Sequence, residues 1–170
     1  MPFTPFHLGP AILAGLLLLR YIDFPTFLAA NLMVDWRATL VFFGFLDGPL
    51  HSWPSTYPGA MVSAAVLGAV MVYIRPAIDG AVREAGIVQE ISRPRIFAAS
   101  FAGAVLHVTL DAFHHPNIQP FMVEGLKPLF GVLSTGQVYL VTLAAFTAGI
   151  PLYLLHASGM IDLNPDRSEK

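Results

Sequence analysis

Long apolar runs dominate the second half of the chain and predict membrane-spanning helices. Residues 59–78, 95–114 and 137–156 are each close to the ~20 apolar residues that cross the hydrocarbon core of a bilayer. Gly, Ala and Ser are frequent in the first two runs, as expected where membrane helices pack closely. The pattern predicts three full transmembrane helices.

The N-terminal third has shorter apolar runs, at residues 8–19 and 24–34, separated by Arg20 and Asp23. At about 1.5 Å per residue each run forms a helix of roughly 17 Å, which is too short to cross a bilayer fully. Pro25 is suited to the start of the second helix. We therefore expect a short helical hairpin over residues 5–35, with its turn at Arg20–Asp23.

The remaining stretches complete a single all-α membrane domain over residues 1–170. Residues 36–58 contain a short apolar stretch and predict a packed or interfacial segment, and residues 157–170 form a tail. Polar composition predicts loops at 75–95, 114–136 and 162–170. The expected fold is an integral membrane helical bundle.

Composition narrows the class of protein further. Hydrophobic residues make up 55% of the 170, and charged residues only 12%, about half the share of a soluble domain. The mean hydropathy is +0.65. The bilayer is therefore the expected partner, and the net charge of −2 gives no attraction to nucleic acid. Since the chain has no cysteine, disulfides and thiolate metal sites are excluded.

Basic residues predict the orientation, because Lys and Arg accumulate in cytoplasmic loops. If the hairpin turns on the cytoplasmic side, Arg37 and Lys127 are the only basic residues outside. The others lie inside: Arg20, Arg75, Arg83, Arg93, Arg95, Arg167 and Lys170. This distribution favours a plasma (inner) membrane protein with an outside N-terminus and a cytoplasmic C-terminus.

The same topology gathers most of the histidines at the outer end of the bundle. His107 and Asp111 are spaced i, i+4 and share one face of a helix. Pro116 disfavours helical geometry at His115, which is the least certain member of the group. His156 lies at the opposite end, where a histidine suits a helix C-terminus. The outer group comprises His7, Asp35, His51, His107, Asp111, His114 and His115.

Imidazole and carboxylate groups together are typical ligands of zinc, iron or manganese. An Asp inside a membrane helix costs about 2.5–3.5 kcal/mol near the bilayer centre, so Asp111 needs a compensating partner. The alternative is a structural hydrogen bond between His107 and Asp111. The convergence of residues at one membrane face favours a divalent metal, most simply zinc, held by His7, Asp35, His51, His107 and Asp111.

These motifs resemble the membrane-bound metal-dependent hydrolase family, which includes LexA-binding inner-membrane-associated hydrolases and is distantly similar to zinc-dependent phospholipase C. His7 looks like the family's N-terminal histidine before a first helix. Residues 31–35 (NLMVD) resemble its Pro-Asp-x-Asp segment, and residues 50–56 (LHSWPST) its His-Arg-Gly-x-Thr-His motif. His107-Val-Thr-Leu-Asp111, followed by Pro116-Asn-Ile-Gln-Pro120, looks like its His-x-x-x-Asp with a downstream Pro-x-x-x-Pro.

The chain also departs from the family pattern. Thr56 stands in place of the second histidine of the His51 motif, Ser52 replaces its arginine, and one acid before Asp35 is missing. The resemblance implies a metal-dependent hydrolase. With Thr56 at this position, the site has fewer ligands, or uses His114 as a substitute, or is a decayed site.

Three functions stay open at this point. The first is a hydrolase acting on an ester or phosphodiester, plausibly in a lipid headgroup, with Asp35 or Asp111 as general base. The second is an accessory subunit of a larger membrane complex or a homo-oligomer, in which the polar group is a relic or structural site. The third is a proton-conducting element that uses His107 and Asp111 as relays.

Overall fold

A computed structural model describes residues 5–163 and is all-helical over that range, with a single isolated β-bridge between Phe130 and Leu133. A 3-10 turn at Trp53–Ser55 precedes the fourth helix. The α-helices are α1 (Pro5–Leu17), α2 (Phe24–Met33), α3 (Trp36–Phe42), α4 (Tyr57–Glu84), α5 (Arg93–His114) and α6 (Thr135–Ala157). The predicted all-α architecture is confirmed.

Three of these helices are long and apolar enough to cross a membrane. They are α4, α5 and α6, with 28, 22 and 23 residues. The short hairpin is also confirmed, since α1 and α2 have 13 and 10 residues. Lipid-facing helices need little protein contact, and accordingly only 22% of the apolar window of α6 is buried inside the bundle.

The prediction of a loop that begins at Arg75 is wrong, because α4 continues without interruption to Glu84. Asp79 explains the continuation, since its carboxylate pairs with Arg75 one turn before it and with Arg83 one turn after it. Arg75 itself is fully buried. It is therefore not one of the loop charges on which the orientation was argued, and Arg167 and Lys170 lie outside the described residues.

The hairpin is inserted into the bundle between α6 and the α4–α5 pair. Helix α1 packs on α6, and α2 packs on α5. Both contacts are close. A Cβ at Gly9 would lie 2.5 Å from the carbonyl oxygen of Thr142, and one at Gly103 would lie 2.5 Å from that of Phe27. Glycine at these two positions lets the backbones approach.

Asp23 holds the turn of the hairpin. Its Oδ1 accepts hydrogen bonds from the backbone N–H of Thr26 (3.1 Å) and the Thr26 hydroxyl (2.6 Å), so that Asp23 caps α2 as its sequence position suggests. Its Oδ2 accepts from Arg75 Nε at 2.7 Å. The backbone N–H of Asp23 donates to the carbonyl of Arg95 at 3.3 Å, which places the turn beside the start of α5.

Gln89 completes this end of the bundle. Its Nε2 donates to the carbonyls of Leu19 and Ile22, both at 2.7 Å, and its Oε1 accepts from the N–H of Phe24 at 2.9 Å. These bonds satisfy backbone groups that the turn leaves unpaired. We call Asp23, Arg75, Asp79 and Gln89 the Arg75 network.

Residues 36–46 lie outside the packed bundle. No residue of α3, from Trp36 to Phe42, is buried, and most of the large apolar side chains of this segment are exposed. Of the two alternatives for the stretch after the hairpin, the structure therefore disfavours packing inside the bundle. The exposed large side chains are Trp36, Phe42, Phe43, Phe45 and Leu46.

Candidate metal centre

The hairpin returns its two ends to the C-terminal end of α5, where the chemistry collects. Asn31 Nδ2 donates to the carbonyl of Gly103 at 3.4 Å, which sets α2 against α5. Just beyond the end of α2, Asp35 meets His107, which lies one turn after Gly103 on α5. At the other end of the hairpin His7, in the first turn of α1, meets Asp111. We call His7, Asp35, His107, Asp111, His114 and His115 the histidine cluster.

Asp111 lies at the centre of this cluster and is buried. Its Oδ1 is 3.0 Å from His7 Nε2 and 3.6 Å from His115 Nε2, and its Oδ2 is 3.3 Å from His107 Nε2. His107 Nε2 is also 3.2 Å from Asp35 Oδ1. The rings of His7 and His107 stack with centroids 4.2 Å apart. One carboxylate thus contacts three imidazoles.

These short distances are not matched by hydrogen-bond geometry. Both ring nitrogens of the fully buried His107 and both oxygens of Asp111 have no hydrogen-bond partner among residues 5–163. His7 Nδ1 is in the same condition. Buried polar atoms are normally satisfied, and each exception asks for an explanation such as a bound ion. The convergence of these atoms is compatible with ligands arranged around a common ion.

The ligand atoms fall into two groups that each suit a divalent cation. One atom each from His7, Asp35 and His107 lie within 4.8 Å of one another, and so do one atom each from Asp111, His114 and His115. Two histidines and one carboxylate in each group form a donor set typical of zinc, iron or manganese. Asp111 also contacts the first group, so the two groups are adjacent.

Charge balance favours a cation at this position. Asp35 and Asp111 bring two carboxylates into a largely buried site, and uncompensated buried charge is costly. Imidazole is neutral in the form that binds a metal. Burial lowers the pKa of His115 to about 4, although the nearby Asp111 carboxylate opposes this effect. Because of the lowered pKa, the His115 ring is neutral at pH 7. A divalent cation would balance the two carboxylates.

His114 is oriented as a ligand. Its Nδ1 lies 3.0 Å from the carbonyl of Leu110, to which it can only donate. Nε2 therefore carries the lone pair, and this atom is buried without a hydrogen-bond partner in the described part of the chain. A backbone carbonyl that fixes the tautomer in this way is a common partner of metal-bound histidines.

His51 lies beside the histidine cluster and contacts it through the ring of His115. Its ring contacts that of His115 with centroids 4.4 Å apart, and it belongs to neither ligand group of the described residues. Beside it opens a cavity of about 280 Å³ between the Trp53–Ser55 turn and the loop after α5. The backbone N–H of Tyr57 donates to the carbonyl of Pro120 at 2.7 Å and holds the two walls together. The cavity therefore adjoins the cluster through His51 and His115.

Of the six predicted metal ligands, the structure brings five together and places His51 beside them. The sequence argument placed His115 in the outer group but did not assign it as a ligand, because Pro116 disfavours helical geometry at that position. The backbone at His115 does leave the helix, with φ −93° and ψ 111°, yet the side chain still reaches Asp111. The adjacent histidine pair was the available signal.

Two other polar positions have structural roles. Thr56, which stands where the family pattern has a histidine, caps α4: its Oγ1 accepts from the N–H of Gly59 at 3.1 Å and donates to the carbonyl of Trp53 at 2.8 Å. His156 is buried at the far end of α6, where its Nδ1 accepts from the N–H of Leu163 at 3.3 Å.

No protein-family model, curated protein or solved structure matches this chain.

Proposed function

We propose that this protein is an integral membrane, metal-dependent hydrolase that acts on an ester or phosphodiester. One observation carries the proposal: histidine and aspartate side chains from α1, α5 and the junction of α2 and α3 converge in a largely buried cluster, in which the ring nitrogens of His107 and the carboxylate oxygens of Asp111 have no hydrogen-bond partner among residues 5–163. The resemblance of the His7, Asp35, His51 and His107-x-x-x-Asp111 motifs to the membrane-bound metal-dependent hydrolases supports the same reaction class.

His7, Asp35 and His107 hold the first metal in this proposal, and His114 and His115 with Asp111 offer a second position. Zinc suits the donor set best, and manganese or iron are alternatives. When bound, such a metal polarises a water molecule or a phosphoryl oxygen. With a metal at the first position alone, Asp111 is the non-ligating carboxylate positioned to accept the proton of the attacking water. With a metal at the second position alone, Asp111 is a ligand and Asp35 takes that role.

A membrane lipid is the substrate that the position of the cluster favours. The cluster lies at the end of the transmembrane helix α5, beside the exposed apolar segment of residues 36–46. Aromatic side chains in such a segment suit the bilayer interface, where headgroups lie. In our proposal this end faces outward from the plasma membrane, with the C-terminus in the cytoplasm, because Arg83, Arg93 and Arg95 are at the opposite end.

The decisive experiment is elemental analysis of the detergent-purified protein. We expect one or two equivalents of divalent metal in the wild type and none in His107→Ala/Asp111→Ala. His156→Ala is the matched control, because it also removes a buried histidine but lies away from the cluster. Metal-loaded wild type should hydrolyse bis(p-nitrophenyl) phosphate, and the double variant should not. Absence of metal from all three proteins after incubation with zinc, manganese and iron would rule the proposal out.

An accessory subunit of a membrane complex is the second candidate. The exposed aromatic side chains of residues 36–46 favour it, since they are also suited to contact another protein. Metal-free protein that co-purifies with other membrane subunits in a defined ratio would support this role. A metal-loaded protein that is active alone would contradict it.

A further inference from the structure

The cavity beside His51 has a lining that is polar but carries no formal charge. Hydroxyl, amide and imidazole groups contribute to its walls, and the described residues that line it include no Asp, Glu, Lys or Arg. The polar lining residues are His51, Ser52, Ser55, Thr56, Asn117 and Gln119. Such groups donate and accept hydrogen bonds but do not neutralise a charge.

An uncharged polar lining favours some headgroups of a phosphodiester over others. A quaternary amine is held by several aromatic faces, and a primary amine by a carboxylate. The cavity offers neither, since Trp53 is the one tryptophan, tyrosine or phenylalanine in the described lining. A polyol such as glycerol or a sugar has many hydroxyl groups, and each can pair with the amides of Asn117 and Gln119 or the hydroxyl of Ser52.

The rim of the cavity is apolar. Trp53 and Met122 line the cavity and are about half exposed, and Phe121 and Val123 continue the exposed surface next to Met122. A polar chamber with an apolar rim, at the end of a membrane helix, matches a lipid whose headgroup enters the chamber while its acyl chains stay outside.

We infer that the cavity beside His51 is a headgroup site for an uncharged, hydroxyl-rich group, such as glycerol or a sugar, on the substrate phosphodiester. This inference rests on the proposed function, because the cavity lies next to the histidine cluster through the His51–His115 ring contact. A volume of about 280 Å³ holds a group of this size.

Trp53 provides a direct optical readout of the cavity. The chain has two tryptophans, so a Trp36→Phe background leaves Trp53 as the single emitter. Metal-stripped protein is titrated with glycerophosphoglycerol and with methyl phosphocholine, two soluble diesters of which only the first carries a polyol. Stripping the metal prevents hydrolysis during the measurement.

We expect the emission of Trp53 to report about tenfold higher affinity for glycerophosphoglycerol than for methyl phosphocholine, the equivalent of one or two good hydrogen bonds. Asn117→Leu/Gln119→Leu should abolish the preference. Gln137→Leu, the same kind of change outside the cavity lining, should keep it. Equal affinities, a preference for the choline diester, or no response to either diester at millimolar concentration overturns the inference.

Two further arms identify the source of the headgroup and separate the inference from the proposed function. Tighter binding to phosphatidylglycerol in nanodiscs than to the soluble diester assigns the site to a membrane lipid, and the reverse assigns it to a free diester. Hydrolysis of bis(p-nitrophenyl) phosphate tests the reaction without using a headgroup. Hydrolysis without headgroup preference defeats the inference alone, and preference without hydrolysis defeats the proposed function alone.

Discussion

The two polar regions of this bundle are both buried, but their hydrogen bonding differs sharply. In the Arg75 network, Asp23 accepts from Thr26 and Arg75, and Gln89 makes three bonds to the hairpin turn; Arg75 Nη2 is left without a partner. In the histidine cluster, both ring nitrogens of His107 and both oxygens of Asp111 have no partner among residues 5–163.

This difference in hydrogen bonding separates buried polar groups with a structural role from those to which we assign a functional role. Buried polar groups that bond one another stabilise a fold once their desolvation is offset. Groups that meet at 3.0–3.6 Å without hydrogen-bond geometry leave that cost unmet among the described residues. The Arg75 network is therefore largely satisfied within the protein, whereas the histidine cluster is the region to which the proposed function assigns a cation.

The largest expected effect comes from breaking the Arg75 network. Asp23→Ala removes the partner of a fully buried guanidinium and the cap of α2, so we expect a loss of about 3–5 kcal/mol in the free energy of unfolding. Thermal or denaturant unfolding in detergent measures it. Asp47→Ala, the same change at an exposed turn, should stay within about 0.5 kcal/mol. A loss below about 1 kcal/mol for Asp23→Ala would refute the structural role.

A smaller effect, of opposite sign, is expected at the histidine cluster. The proposed function requires that zinc bind the folded cluster, so free zinc at about 100 times its Kd should raise the free energy of unfolding by about 2.7 kcal/mol. His107→Ala should lose this gain, and His156→Ala should retain it. Unfolding curves with and without zinc give the comparison. Equal stabilisation of the two variants would show that zinc binds elsewhere.

The smallest effect concerns Thr56. As the cap of α4 and not a ligand, it should contribute about 1 kcal/mol to stability and nothing to metal content. Thr56→Ala should therefore lower the unfolding midpoint slightly and bind as much zinc as wild type. Loss of metal from this variant would move Thr56 from the structural group of residues to the cluster.

Much of the fold could be read from the sequence, because the bilayer imposes a simple rule on length and hydropathy. The three long helices and the short hairpin follow from apolar run lengths, and Asp23 with Pro25 marks the start of α2. The end of α4 was missed, since an arginine inside an apolar run looks like a loop residue until its buried partner, Asp23, is known.

Most residues of the histidine cluster could also be placed at one end of the bundle from the sequence. The spacing of His107 and Asp111 placed them on one helix face, and topology brought His7 and Asp35 to the same end. Local sequence does not show how a side chain returns after a helix ends, so His115 was not assigned as a ligand. The polar cavity beside His51 could not be foreseen, because its walls come from two segments that are far apart in the chain.

The position of the hairpin at the start of the chain determines the order in which the residues of the histidine cluster are synthesised. The two ends of the hairpin, His7 and Asp35, emerge from the ribosome early, whereas α5 with His107 and Asp111 follows much later. Two of the three residues of the first ligand group are therefore synthesised before α5, which supplies the third and packs against α2 at Gly103. Under the proposed function, the first metal position is completed only at that step, so metal content would also report that the bundle has assembled.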